Sequence, residues 1–308
     1  MKRISFFRSS DFITLTFIAA LSIIEVIFSS RIQHWFFLVA LNVSLIVSIV
    51  FSSWYVYRKR NTGNSIVALF RDWYLVPCIL LIYTQTSSIN HSIHQRDYDD
   101  ILIAIDRFIF QGDPTQWIYQ FSHPLITEIL QIAYTSYYLF FVALFFELYR
   151  RNDRNDFDSG AMLIVYGFYL SYIGYLLLPA IGPRFTLHNF FSIETELPGI
   201  FLTEYLRGIV DSGGGIPAGV PNPIDFVHRD AFPSGHTQLT LTAMYVAFTT
   251  RTKIRWWLFV AGSLLIISTI YMRYHYVTDV IVGVAFFFFT VWSGKRINNW
   301  WNEGIKKV

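Results

Sequence analysis

The stretch Asp230–Leu241, DAFPSGHTQLTL, closes a polar segment rich in glycine and proline and opens an apolar run that continues to about residue 250. It places a small hydroxyl, a glycine and an imidazole at the mouth of a segment greasy enough to enter a bilayer. The same contrast recurs along the whole chain. Of its 308 residues, 54% are hydrophobic and 15% charged, with a mean hydropathy of +0.41. A soluble domain carries about 25% charged residues. Several apolar stretches approach or exceed the ~18–20 residues that cross a bilayer as a helix. The reading is an all-α, polytopic transmembrane bundle of about eight spans, at about 12–29, 35–57, 73–88, 124–149, 160–181, 233–250, 255–271 and 275–292. The third is interrupted by Pro77. The N-terminal MKRISFFRSS and its apolar run lack a small-x-small cleavage pattern, so they are read as a true first span.

Basic residues sort by side. Seventeen of the 24 Lys and Arg, including every lysine, fall in the termini and alternate loops, near Arg8, Arg71, Arg150, Arg154, Lys253 and Lys295. The positive-inside rule then puts both termini in the cytoplasm. A net charge of +3 is too small to suggest nucleic acid. Cys78, the single cysteine, excludes an intrachain disulfide and a cysteine metal cluster.

Two long segments fall on the opposite, extracytoplasmic face. Residues 89–123, with DDILIAIDRFIFQGDPTQWIYQF, are too charged to span and read as aromatic-rich interfacial helices, one starting at Asp113-Pro114. Residues 182–232 include DSGGGIPAGVPNP, which forbids regular structure. No repeat or soluble domain is evident.

Three span ends on that face carry chemistry. In the tetrapeptide, Pro233 suits a first helical position. The amides of Ser234, Gly235 and His236, with the helix dipole, form an anion site, and Gly235 would let a ligand approach the backbone. In YMRYHYVTDV, Tyr271 to Val280, His275 and Asp279 are four apart and share a helix face, so the carboxylate can orient the imidazole as a nucleophile or base. In LLLPAIGPRF, Leu176 to Phe185, Arg184 emerges where it can meet a phosphate bidentately. Arg273 stands two residues before His275.

These residues resemble the type-2 phosphatidic acid phosphatase superfamily, and more narrowly its inositol phosphorylceramide synthase-like branch. The Pro-Ser-Gly-His motif is complete at 233–236, and His-x-x-x-Asp is present as HYVTD at 275–279. The likeness extends through ILIAIDRFIF and EILQIAYTSYY, covering about Tyr74 to Trp292. It departs at the first motif, where Leu177 replaces a lysine and the proline precedes Arg184, and at Thr269, where an arginine is usual. The resemblance implies a six-helix catalytic domain (61–300) behind a two-helix N-terminal segment (1–60), with a cytoplasmic tail at 301–308. It further implies a lipid phosphate substrate and two-step phosphoryl transfer. His275 forms a phosphohistidine, Asp279 orients it, and His236 serves as acid then base. Arg184, Arg273, Ser234 and Gly235 hold the phosphate, and neither metal nor cofactor is required. A lipid phosphatase at the extracytoplasmic face of the cell membrane is the first reading; a phosphotransferase with an alcohol acceptor, or a lipid transporter or silent scaffold, are its rivals.

Other polar residues have plainer readings. His91, His94, Asp97, Asp99 and Asp100 could hold a metal but are equally solvated loop residues. His188 and His228 lie in the outer loop nearest the site; substrate contact is one reading, ordinary loop histidines the plainer one. Glu25 and Glu128 lie at outer span ends and are expected to reach the interface.

Overall fold

The computed structural model describes residues 6–59, 66–151 and 153–306. The expected boundary at residues 60 and 61 lies outside them, as do Lys2, Arg3, Arg60 and Lys307 of the charge count. The chain is all-helical, with no strand among the described residues. In order it forms α1 (Ser9–Ile27), α2 (Trp35–Arg58), α3 (Ile66–Trp73), α4 (Leu75–Ile93), α5 (Asp99–Phe110), α6 (Pro114–Ile118), α7 (Pro124–Thr135), α8 (Tyr137–Arg150) and α9 (Arg154–Leu177). Then follow α10 (Pro183–Thr186), α11 (Ile193–Glu196), α12 (Thr203–Gly213), α13 (Gly235–Thr249), α14 (Arg255–Tyr271) and α15 (Val277–Lys306).

Four helices, α1, α2, α9 and α15, are long and apolar enough to cross a membrane, and six segments qualify if the bent pairs α3–α4 (48°) and α7–α8 (51°) each count as one. The remaining two expected spans are helical but shorter, 15 residues in α13 and 17 in α14. The third span is interrupted as expected: α3 and α4 meet at Tyr74 with a 48° bend, and Pro77, in the first turn of α4, has no N–H to carry the helix on from Trp73.

The core is built around α9 and α13. α13 packs against α9, α14, α15 and α8, while α1 and α4 cover other flanks of α9 and α2 packs on α1. α9 starts at Asp153, whose side chain accepts from the amides of Asn155 and Asp156, both at 3.1 Å. α6 does start at Asp113-Pro114, yet the Asp113 carboxylate pairs with Arg107 at 2.8 Å instead of capping the helix.

α5 is amphipathic in a way that positions the site. Ile101, Ile105, Phe108 and Ile109 are exposed, whereas Asp99 and Asp106 point inward and are buried. The expected irregular segment 182–232 contains a helix the sequence reading missed, α12. Its N-terminus is held by Glu128, which accepts from the amides of Ile200 and Leu202 (2.9 and 2.7 Å) and from the Thr203 hydroxyl (2.6 Å). Glu128 therefore does not reach the interface: an anion at a helix N-terminus is stabilised by the free amides and the dipole. Glu25 is also fully buried, against the Asn42 amide at 3.1 Å.

Candidate functional site

The segment that follows α9, the N-terminus of α13, the turn before α15, α12 and the facing parts of α4, α7 and α8 enclose a cavity of about 210 Å³. His236, His275, Arg184 and Asp230 line it, together with Tyr83, Tyr134, Tyr137 and Tyr138.

α13 begins at Gly235, two residues later than expected, because Ser234 is its N-cap. The Ser234 Oγ accepts from the Thr237 amide at 3.2 Å, and its own amide donates to the Asp279 carbonyl at 3.0 Å. Its polar groups are thus satisfied within the protein, and Ser234 does not line the cavity. Gly235 has a packing reason. A Cβ there would stand 2.1 Å from the Tyr175 hydroxyl, so the space reserved by the glycine is filled by α9 rather than left for a ligand.

His236 is placed by aromatic stacking. Tyr134 lies between it (centroids 4.6 Å apart) and Tyr274 (4.3 Å), and the Arg184 guanidinium covers the Tyr274 ring at 4.7 Å. Arginine, two phenols and imidazole form one continuous stack, which fixes the ring plane of His236 and the reach of Arg184 together. Tyr137 packs on His236 from a third direction at 4.4 Å.

His275 precedes α15 by two residues and so lies in a turn, not on the helix face expected. Its Nδ1 meets the Ala231 carbonyl at 2.8 Å, while Asp279 Oδ2 stands farther off at 3.4 Å. A carbonyl can only accept, so Nδ1 carries the proton and Nε2 presents a lone pair. That Nε2 lies 3.3 Å from His236 Nδ1. Asp279 accepts the Tyr276 amide at 2.8 Å, fixing the turn as well as flanking the imidazole.

Asp106 and Asp99, seven apart on α5, hold this turn from outside. Asp106 accepts the amides of Val277 (3.0 Å) and Thr278 (2.8 Å), capping α15 in trans. Asp99 accepts the amides of Ile181 (3.0 Å) and Gly182 (2.8 Å) and the Tyr276 hydroxyl (2.8 Å). Gly182 has φ +92° and a Cβ there would stand 2.5 Å from the Tyr274 carbonyl, so no other residue fits this crossing.

The two candidate arginines part company. Arg184 is brought to the cavity wall, its Nη1 bonded to Asp211 of α12 at 2.5 Å. Arg273 is not. It adopts φ +65° just past the C-terminus of α14, and its guanidinium pairs with Glu196 beneath the Tyr119 ring. The left-handed residue ends the helix and turns the chain, so the side chains of Arg273 and His275 diverge.

The possible metal ligands also disperse. His91 faces the Ser87 carbonyl, His94 the Leu176 carbonyl, and Asp97 pairs with Arg229. No group of three such side chains converges among the described residues. His188 bonds Thr115 at 2.9 Å, away from the cavity. His228, by contrast, lines the cavity beside Tyr83.

Fold and site together define an all-helical protein with apolar membrane-length helices and a histidine pair in a cavity at one end of the bundle. Residues 101–293 match the PAP2 superfamily, and the chain belongs to that family. A PA-phosphatase related-family protein of Dictyostelium discoideum is 24% identical over 192 residues, covering 56% of this chain. The match spans about a third (33%) of that relative's length. No solved structure matches the chain.

Proposed function

We propose that the protein is an integral membrane lipid phosphate phosphatase or phosphotransferase working through a phosphohistidine. The observation that carries this reading is the His236–His275 pair. One imidazole has its Nδ1–H held by a backbone carbonyl and its Nε2 turned to the other, in a cavity walled by a stacked arginine.

In the first step His275 Nε2 attacks phosphorus as the bond from phosphorus to the ester oxygen breaks. His236 gives a proton to the departing oxygen. In the second step His236 takes a proton from water, or from an alcohol, whose oxygen attacks phosphorus and releases His275. Such general acid–base help is worth ~10²–10⁴-fold. Arg184 stabilises the equatorial oxygens as charge develops. Asp279 stabilises the positive form of His275 that precedes proton rebalancing. Ser234, Gly235 and Arg273 support the scaffold and not the phosphate. Basic residues at the Arg154 end of α9, opposite the cavity, favour an extracytoplasmic site with cytoplasmic termini.

The test uses purified protein in detergent with lipid phosphates labelled on the terminal phosphorus, chelator present, and His275→Ala as control. Label should appear as inorganic phosphate or in a new alcohol ester, and His275→Ala should lower the rate by ~10³-fold or more. Rates equal in the two proteins would remove the reading.

A further inference from the structure

The cavity has a second pole that the phosphoryl-transfer chemistry does not use. Asp230 lies on its wall next to Ala231, the residue whose carbonyl holds His275. The Tyr83 hydroxyl donates to Asp230 Oδ2 at 2.6 Å, since a carboxylate there can only accept. Toward His228 Nδ1, at 2.9 Å, the same hydroxyl must then be the acceptor, so His228 carries its proton on Nδ1. Burial holds His228 below the ordinary imidazole range, in keeping with a neutral ring that donates through one nitrogen. The chain His228 to Tyr83 to Asp230 runs in one direction and ends on the carboxylate. No described side chain bonds Asp230 Oδ1.

A carboxylate in a phosphate cavity is costly for an anionic neighbour and favourable for a donor. Three features identify the donor as a hydroxyl rather than an ammonium group. Tyr134 is stacked on both faces, by His236 and Tyr274, which removes it from any cation cage. Tyr137 is covered by His236, and Tyr83 meets the His228 ring edge-on at 5.1 Å. Tyr138 lines the cavity as well, and every one of these phenols carries a hydroxyl, a group that can both donate to and accept from a substrate hydroxyl.

We propose that Asp230 is a specificity-determining residue. It seats a hydroxyl of the group bonded to phosphorus, or of the incoming alcohol, and rejects substrates that carry a second phosphate there. This rests on the phosphoryl-transfer reading and narrows it: lipid monophosphates over lipid diphosphates, and a polyol acceptor over an anionic one.

The decisive experiment measures kcat/KM on phosphatidate and on diacylglycerol diphosphate, which share one lipid body, for the wild type, Asp230→Asn and Tyr83→Phe. Glycerol is added as a trial acceptor, and phosphate and glycerol phosphate are counted separately. The wild type should prefer the monophosphate by about tenfold or more, the scale of one charge-assisted contact. Asp230→Asn should bring the ratio toward unity by raising the diphosphate rate, and should lower the glycerol phosphate share. Tyr83→Phe, which strips a donor from the carboxylate and also leaves His228 Nδ1–H without its acceptor, should keep or sharpen the preference. A wild type active on both lipids with no preference, or a ratio unmoved in Asp230→Asn, overturns the role of Asp230 alone. A wild type that turns over neither lipid overturns the broader reading as well.

Discussion

The two ends of α9 hold two buried polar clusters of opposite character. At the Arg154 end, Arg8 pairs with Asp72 (2.5 Å) and Asp158 (3.1 Å), Arg71 with Asp11 (3.0 Å), and Arg154 with Asp72 (2.7 Å). The Tyr74 hydroxyl adds a bond to Asp11 at 2.8 Å. These charges face one another and tie α1, α3 and α9 together. At the Leu177 end, His236, His275, Arg184 and Asp230 are equally well positioned, yet all four face a common cavity. Charge in a bundle end is therefore no mark of chemistry by itself. What separates scaffold from site is whether the polar atoms are directed at each other or at a space a ligand can enter.

That contrast can be broken by mutation. Asp11→Ala leaves Arg71 buried without its partner, and unfolding in detergent should become easier by about 3–5 kcal/mol. Turnover by the protein that remains folded should stay within about twofold. A large loss of kcat without loss of stability would mean that the closed cluster is coupled to the cavity after all. Arg184→Ala should lower kcat/KM by ~10²–10³-fold, the cost of one preorganised charge donor, and should also lower the thermal midpoint, since it leaves Asp211 without its partner and Tyr274 uncovered. Arg273→Ala, by contrast, should act mainly through stability, so comparing the two variants tests the division between them. Asp106→Ala removes the cap of α15 and should cost about 1–2 kcal/mol. Because the capped turn carries His275, kcat should fall more than KM rises, and Asp106→Asn should recover part of it.

The smallest effect concerns pH. Burial, reinforced by nearby Arg273, pushes the His188 imidazole down to about 4. An unfolded chain takes up that proton near the ordinary value of about 6.5. The sign follows: stability is flat above that value and declines as pH falls from about 6.5 toward 4, because only the unfolded state gains a proton. His188→Gln should flatten that part of the profile in thermal unfolding scans, while an unchanged slope would assign it to other groups.

Much of this was legible in the sequence. Apolar runs gave the helices, and motif spacing with alternating sidedness brought His236, His275, Asp279 and Arg184 to one end. What escaped depended on direction and on distant partners. Arg273 looked like a phosphate ligand because it stands two residues from His275, and only its positive φ turns it away. Glu128 looked interfacial until residues 200–203 folded back onto its carboxylate. Arg8, Arg71 and Arg154 were counted as loop charges, since pairing between α1, α3 and α9 has no local signal. Asp99 and Asp106 did have one, a seven-residue interval on an amphipathic helix, but the helix's own pattern cannot say what its polar face would cap. The stack through Tyr134 joins residues 134, 184, 236 and 274, and no single motif contains it.

The two motif segments are stitched by main-chain atoms. The Ala231 carbonyl holds His275, and the Asp279 carbonyl receives the Ser234 amide. Side-chain scanning is blind to both stitches: residue 231 is already alanine, and Asp279→Ala deletes a carboxylate but keeps the carbonyl. Functional maps built from such scans will under-count what assembles this pair, and will score position 231 as expendable. Replacing the amide with an ester at the Ala231–Phe232 link, which weakens that carbonyl as an acceptor while leaving every side chain in place, is the kind of change that would make the stitch visible.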